Sequence, residues 1–270
     1  MSITPEKTKK RQRKGQNMSN PITKDINFEV MSTAAFAKID DNFNIVKHRK
    51  AIYRTDTNDV FEFVGKGYKI IDHKSVINSI NSIFEESKVS IRWNHFVEKS
   101  GARILSYVDV IDTKHVIKST PVTLRLSFIN SYDRTSSLKI HPFGVIGGNM
   151  IAIGDGVNAV HTKNVNVDSL MQSINESILT FKSKIDFWES LDSKDVDIND
   201  IIDVKTAIVD VLHIGQKQRK DMIHCTRESN TMWTLFRELS DSVCKMDVQE
   251  SSRQRLLIKL AKYFEVNSKI

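Results

Sequence analysis

The 270-residue chain is 40% hydrophobic, with ten glycines and four prolines, so it has room for one sizeable domain or two small ones and is neither linker-rich nor collagen-like. A formal charge of +7 points to an anionic partner, and two cysteines, Cys225 and Cys244, supply neither a disulfide framework nor a CxxC zinc knuckle. With no run of about 18 apolar residues and no apolar signal-type run after the basic start, neither membrane insertion nor secretion is expected, and a reducing, intracellular setting fits best.

In chain order, residues 1–14 carry Lys7, Lys9, Lys10, Arg11, Arg13 and Lys14 against Glu6, a net of +5 that leaves only +2 for everything after. This stretch lacks apolar residues to bury. It predicts a disordered basic tail over residues 1–20, either free to touch phosphates by counterion release or merely solubilising. Residues 21–165 read as a sheet-rich core, of which 21–50 form a weakly patterned lead-in. From Ala51 to about His161 the pattern is strand-like. "VFEFVGKGYKIID" reads as a hairpin turned at Gly65-Lys66-Gly67. Val76, Ile77, Ile80, Ile83 and Phe84 then fall at helical spacing and predict a helix from about Lys74 to Ser87.

Strands resume with "VSIRWNHFVE", "ARILSYVDVID" and "TPVTLRLSFINS". In the last, Val122, Leu124, Leu126 and Phe128 share one face while Thr123, Arg125 and Ser127 share the other, so the sheet has an apolar face and a polar, partly basic one. Five of the ten glycines follow in "GVIGGNMIAIGDG". That run fits neither GxxxxGK[ST] nor GxGxxG, and Lys163 comes too late for a phosphate loop, so it predicts a strand with tight turns.

From Asn166 the period becomes 3.6. Leu170, Ile174, Ile178, Phe181, Ile185 and Trp188 make one stripe, with Asp168 and Ser169 as caps, and three further helices read in "INDIIDVKTAIVDVLHIG", "TMWTLFRELSDSV" and "SRQRLLIKLAKYF". Between Asp186 and Asp210 eight acids face Lys194 and Lys205, a net of −6 that would repel nucleic acid and suit solvent or a basic partner. The fold class expected is α+β: a mostly antiparallel sheet over about residues 51–161 with one inserted helix, followed by a helical region, 166–270, packed on it in the same domain.

Catalytic patterns are missing from the sequence. There is no GxSxG elbow, no carboxylate couple stands out, and neither cysteine has an evident base. His213, His224 and Cys225 with Asp221 match no standard zinc spacing, and His95, His115, His141 and His161 are scattered. No enzyme activity, metal or cofactor is expected. What remains is basic and aromatic. Lys66 and Lys69 flank Tyr68, Arg92 adjoins Trp93, Arg103 and Tyr107 share a face, Arg125 points outward, and Tyr132, Arg134 and Lys139 sit in one turn region. Cations that follow a backbone beside rings that stack bases are the means by which single-stranded nucleic acid is gripped. Trp93, with the parity of Val89 and Ile91, is instead expected in the core.

The chain from Tyr53 onward also resembles a family of phage and plasmid proteins known mainly as a domain of unknown function. The resemblance is carried by the order of "VGKGYKIIDHKSVINSINSIF", "NSYDRTSSLKIHPFGVIGGNM", "AVHTKNV" and "MWTLFRELS", and covers most of residues 51–264. It implies a phage or plasmid origin and, more remotely, kinship with single-strand annealing recombinases. The positions that match are Asn130, Asp133, Asn149, His161 and Thr162. Gly147-Gly148 stand where many relatives have a bulkier or cysteine-containing step. Asn149, His161 and the adjacent Lys163 therefore join the expected DNA-binding set.

Together these readings point to a non-enzymatic phage protein that binds single-stranded DNA in the cytoplasm of the infected bacterial host, acting in recombination by strand annealing or in replication, with homo-oligomers possible. Two rivals stand beside it: a single-stranded-DNA-binding transcription cofactor that recruits a phage polymerase, and a protein-interaction module that inhibits a host factor.

Overall fold

A computed structural model describes residues 26–111, 115–117, 119–161, 167–215, 218, 220, 222 and 229–267. The chain opens with a three-stranded antiparallel sheet, β1 (Val30–Ile39), β2 (Asn42–Arg54) and β3 (Val60–Gly65), in the order β1-β2-β3. Helix α1 (His73–Glu86) leads to a larger sheet of β4 (Ile91–Glu98), β5 (Arg103–Val110), β6 (His115–Ile117), β7 (Thr120–Ser131), β8 (Leu138–Ile146), β9 (Asn149–Ala152) and β10 (Val157–Ala159). Its order is β10-β8-β7-β5-β4, with β6 on β7 and β9 on β8. Helices α2 (Val167–Asp192), α3 (Ile198–Leu212), α4 (Met232–Lys245) and α5 (Glu250–Asn267) follow. The class is α+β, with antiparallel sheets first and the later helices C-terminal. No described helix is long and apolar enough to cross a membrane.

The apolar face of the large sheet forms as its alternation dictates. Val108, Leu126 and Pro142 lie in one row across β5, β7 and β8, and Leu124, Leu126 and Phe128 are fully buried. Each such side chain contributes about 1.5–3 kcal/mol of burial. Helix α1 covers part of this face. Asp72 caps it by accepting from the Ser75 N–H at 2.8 Å, and Asn81 accepts from the half-buried Trp93 indole at 2.7 Å. Helix α2 covers another part through Trp188, which lies over Gly144; a Cβ there would stand 2.6 Å from the indole ring. The glycine run is thus a packing and turn requirement, since Gly147 and Gly148 close the β8–β9 hairpin at φ 57° and 90°.

Three expectations are corrected. The strands begin at Val30, well before Ala51, because the β1–β2 hairpin is exposed on nearly all positions of β1 and has no buried face to impose alternation there. Gly65-Lys66-Gly67 does not turn a hairpin: β3 ends, the Tyr68 N–H donates to the Gly65 carbonyl at 3.0 Å, and the chain runs on to the α1 cap. The polar face of the large sheet is also not open across its centre. Gln254 of α5 donates to Ser127 Oγ at 2.6 Å and the Tyr107 hydroxyl donates to Glu250 at 2.6 Å, while α4 and α5 pack on β9.

Candidate nucleic-acid interface

The three tyrosines expected to stack bases are interior. Tyr68, Tyr107 and Tyr132 are 7%, 9% and 1% exposed. Tyr68 donates to the Ser131 carbonyl at 3.1 Å, and its ring stacks on His161 at 4.8 Å. Tyr132 donates to Asp72 at 3.2 Å, accepts from the His73 N–H at 2.9 Å and stacks on Phe61. Burial raises the pKa of all three phenols above the usual range. A buried phenol needs a partner for its hydroxyl; each has one inside the fold, so none is available to a base.

Two of the arginines are likewise engaged. Arg125 makes a two-pronged pair with Asp109 at 2.5 and 3.0 Å and lies 5.0 Å from the Tyr107 ring centre. Arg103 pairs with Glu98 at 3.2 Å. Arg125 borders a cleft of about 390 Å³ lined also by Phe96, Leu105, Tyr107, Asn149, Glu250 and Arg253, among others. Glu250 and Arg253 also pair with each other, so the cleft's arginines already hold carboxylates.

Matched positions of the family resemblance hold the architecture. Asn130 donates to the Ile71 carbonyl at 2.8 Å and to His73 Nδ1 at 2.9 Å, which fixes His73 as the tautomer whose Nε2–H donates to the Gly101 carbonyl at 3.2 Å. Fully buried, that imidazole has its pKa pushed down to about 3 and stays neutral. Asp133 accepts from Thr135 and pairs with Lys99 at 2.6 Å, and those hydrogen bonds hold its carboxyl below the ordinary range against the pull of burial. His161 is buried, and its Nδ1 donates to the Lys69 carbonyl at 3.1 Å. Asn149 is half-buried at the β8–β9 turn. Thr162 and Lys163 lie outside the described residues, as do Lys9, Lys10, Arg11, Arg13 and Lys14 and three of the four residues weighed for zinc, Asp221, His224 and Cys225.

Lys66, Lys69, Arg92 and Arg134 are exposed and Lys139 is half-buried. The first two belong to a cluster that sequence reasoning missed. Along β1 the register advances from Ala34 to Phe36, while along β2 it runs from Lys50 to Ile45, so three extra β2 residues bulge outward. His48 takes a left-handed φ of 70° in this bulge. Bulges re-aim side chains, and this one presents Lys47, His48 and Arg49 to solvent beside the half-buried Lys50. The turn after β3 adds Lys66, whose N–H donates to the His48 carbonyl at 3.2 Å, and then Lys69. None of the five cations Lys47, Arg49, Lys50, Lys66 and Lys69 pairs with an acid among the described residues. On the same small sheet, exposed rings stand at Phe36 (53%), Phe43 (73%) and Phe63 (49%). The signal was present in "VKHRKA", three cations and a histidine in four residues, but the lead-in lacked the alternation that marks strands.

Among the described residues no group of three or more His, Cys, Asp or Glu side chains is placed to hold a metal ion. No family model, curated protein or solved structure matches the chain.

Proposed function

We propose that the protein is a non-enzymatic single-stranded DNA-binding protein that grips the backbone through the cationic bulge of its small sheet, aided by the basic tail. The observation that carries this reading is the set of five cations, Lys47, Arg49, Lys50, Lys66 and Lys69, that pair with no acid among the described residues and are carried on the β2 bulge and the turn after β3, with exposed phenylalanine rings on the same sheet. Cations that track phosphates beside rings that stack bases bind single strands with little sequence preference. The family resemblance supplies the setting: strand annealing or replication in a phage-infected bacterium.

The large sheet's polar face drops out of this reading, because its tyrosines are interior and Arg103 and Arg125 are paired. Fluorescence anisotropy with a single-stranded and a duplex oligonucleotide, each at low and moderate salt, tests the proposal. The single strand should bind more tightly, and affinity should fall steeply with salt. Removing residues 1–14 should weaken binding and flatten the salt dependence without unfolding the protein. No affinity for either oligonucleotide at low salt would overturn the proposal and favour the host-factor interaction module.

A further inference from the structure

Every open sheet leaves edges whose backbone N–H and C=O groups invite another strand, and proteins blunt such edges with charge, proline, brevity or cover. Among the described residues the edge strands other than β1 are blunted, β6 and β9 by being only three and four residues long. The β4 edge carries Arg92 and Glu98, the β10 edge is three residues long, and the β3 edge is six residues long and carries Glu62.

β1 is different. It is ten residues long, lies at the edge of the small sheet, and reads "VMSTAAFAKI", with no charge or proline from Val30 to Ala37. Of its ten side chains only that of Ala35 is buried, and Met31, Phe36 and Ile39 are 45%, 53% and 59% exposed. Phe36 faces Ile45 across the hairpin, and Phe43 pairs with Lys38 next along, so the distal half of the hairpin shows contiguous apolar side chains with no core beneath them. A two-stranded ribbon of this kind is marginal in water by itself, and exposed apolar patches mark contact surfaces.

We propose that β1 is a self-association edge: two copies of the chain pair β1 to β1 in antiparallel fashion and merge their small sheets into one of six strands. The charges at its two ends select both the partner and the direction. Glu29 precedes β1, and Lys38 lies near its end. An antiparallel second copy centred near Thr33 brings each Lys38 within a residue of the other copy's Glu29, whereas a parallel copy would set like charge against like at both ends. The contact is isologous and closes as a dimer. The cations of the β2 bulge sit one strand in from the joint and stay uncovered, so this surface is separate from the one proposed for DNA.

Sedimentation velocity of the full chain without nucleic acid tests the idea. Wild type should run at twice the single-chain mass of 30.9 kDa and remain dimeric at high salt, where DNA affinity is lost. Thr33 is exposed and lies opposite Ala51, so Thr33→Lys and Thr33→Asp should each give monomers that keep the wild-type circular dichroism and a cooperative unfolding transition, with a Tm no longer dependent on protein concentration. Mixing the two variants should restore a dimer, because a lysine then meets an aspartate at the centre of the joint. A single-chain mass for wild type at every concentration would overturn the proposal, as would dimers that ignore either substitution or a mixture that stays monomeric.

Discussion

If the β2 bulge holds phosphates, removing two of its cations must change the salt dependence of binding by a predictable amount. Lys47→Ala with Arg49→Ala is the informative pair, because both side chains are exposed and neither pairs with a described acid; Arg49 makes only a long contact, 3.4 Å, to the Phe63 carbonyl. Exposed substitutions of this kind shift stability by no more than about 0.5 kcal/mol, so any binding defect is not a folding defect. For single strands the slope of log affinity against log salt is about −0.7 per phosphate neutralised. Five cations give a slope near −3.5, and losing two brings it to about −2.1. Over a fourfold rise in salt the bulge's share of the loss in affinity should then be on the order of 100-fold in wild type and about 20-fold in the double variant. The tail adds equally to both proteins, so the difference in slope, about 1.4, belongs to the bulge alone. Anisotropy titrations with a labelled single strand over a salt series read it directly. Equal slopes for the two proteins would refute the assignment, whatever their absolute affinities.

Three further outcomes follow from the fold. Arg125→Ala strands the Asp109 carboxylate at a site where both side chains are 23% exposed; it should cost about 2 kcal/mol, between the ~0–1 of a surface pair and the ~3–5 of a fully buried one, and a urea midpoint indistinguishable from wild type would refute that. Gly144→Ala drives a Cβ to 2.6 Å from the Trp188 ring, and such overpacking should cost about 1–3 kcal/mol, or roughly 2–10 °C in Tm; an unchanged Tm would show that α2 shifts freely. His73, with its pKa depressed to about 3, takes up a proton in the unfolded chain before it does so in the folded one. Its contribution is therefore full above about pH 6.5 and is lost as pH falls toward 3, about 2 kcal/mol of it between pH 7 and 5. Burial moves His141 and His161 the same way, so urea midpoints equal at pH 7 and pH 5 would contradict the neutral imidazole.

Where a single face is buried by neighbours, the sequence was legible. The alternation of Val122 to Phe128 placed β7, and the spacing of Val76 to Phe84 placed α1 within a residue at either end. Legibility failed where the partner is distant or solvent lies on both sides. The Tyr107 hydroxyl meets Glu250, 143 residues away, and Tyr68 meets Ser131, 63 residues away; no local pattern reveals that either ring turns inward. β1 and the distal half of β2 have no buried face, so they carry no period to read. The cations of the candidate site were visible as residues in "VKHRKA", but their grouping with Lys66 depends on a bulge and on a turn that returns to His48.

A physical asymmetry separates the two sheets and explains why binding is better sought on the smaller one. On the large sheet, helix α5 arrives over the polar face, and a charge or hydroxyl half removed from water is tolerable only with a partner. Arg125 therefore holds Asp109, Tyr107 holds Glu250, and Gln254 reaches Ser127. Any ligand recruiting those groups would first have to break bonds that support the fold. The cations of the β2 bulge are exposed or, at Lys50, half-exposed and pair with no acid among the described residues, so engaging a phosphate costs them little more than side-chain freedom and releases counterions in return. Groups that the fold does not use are the ones free to serve a partner, and among the described residues they concentrate along Lys47 to Lys50, at Lys66 and at Lys69.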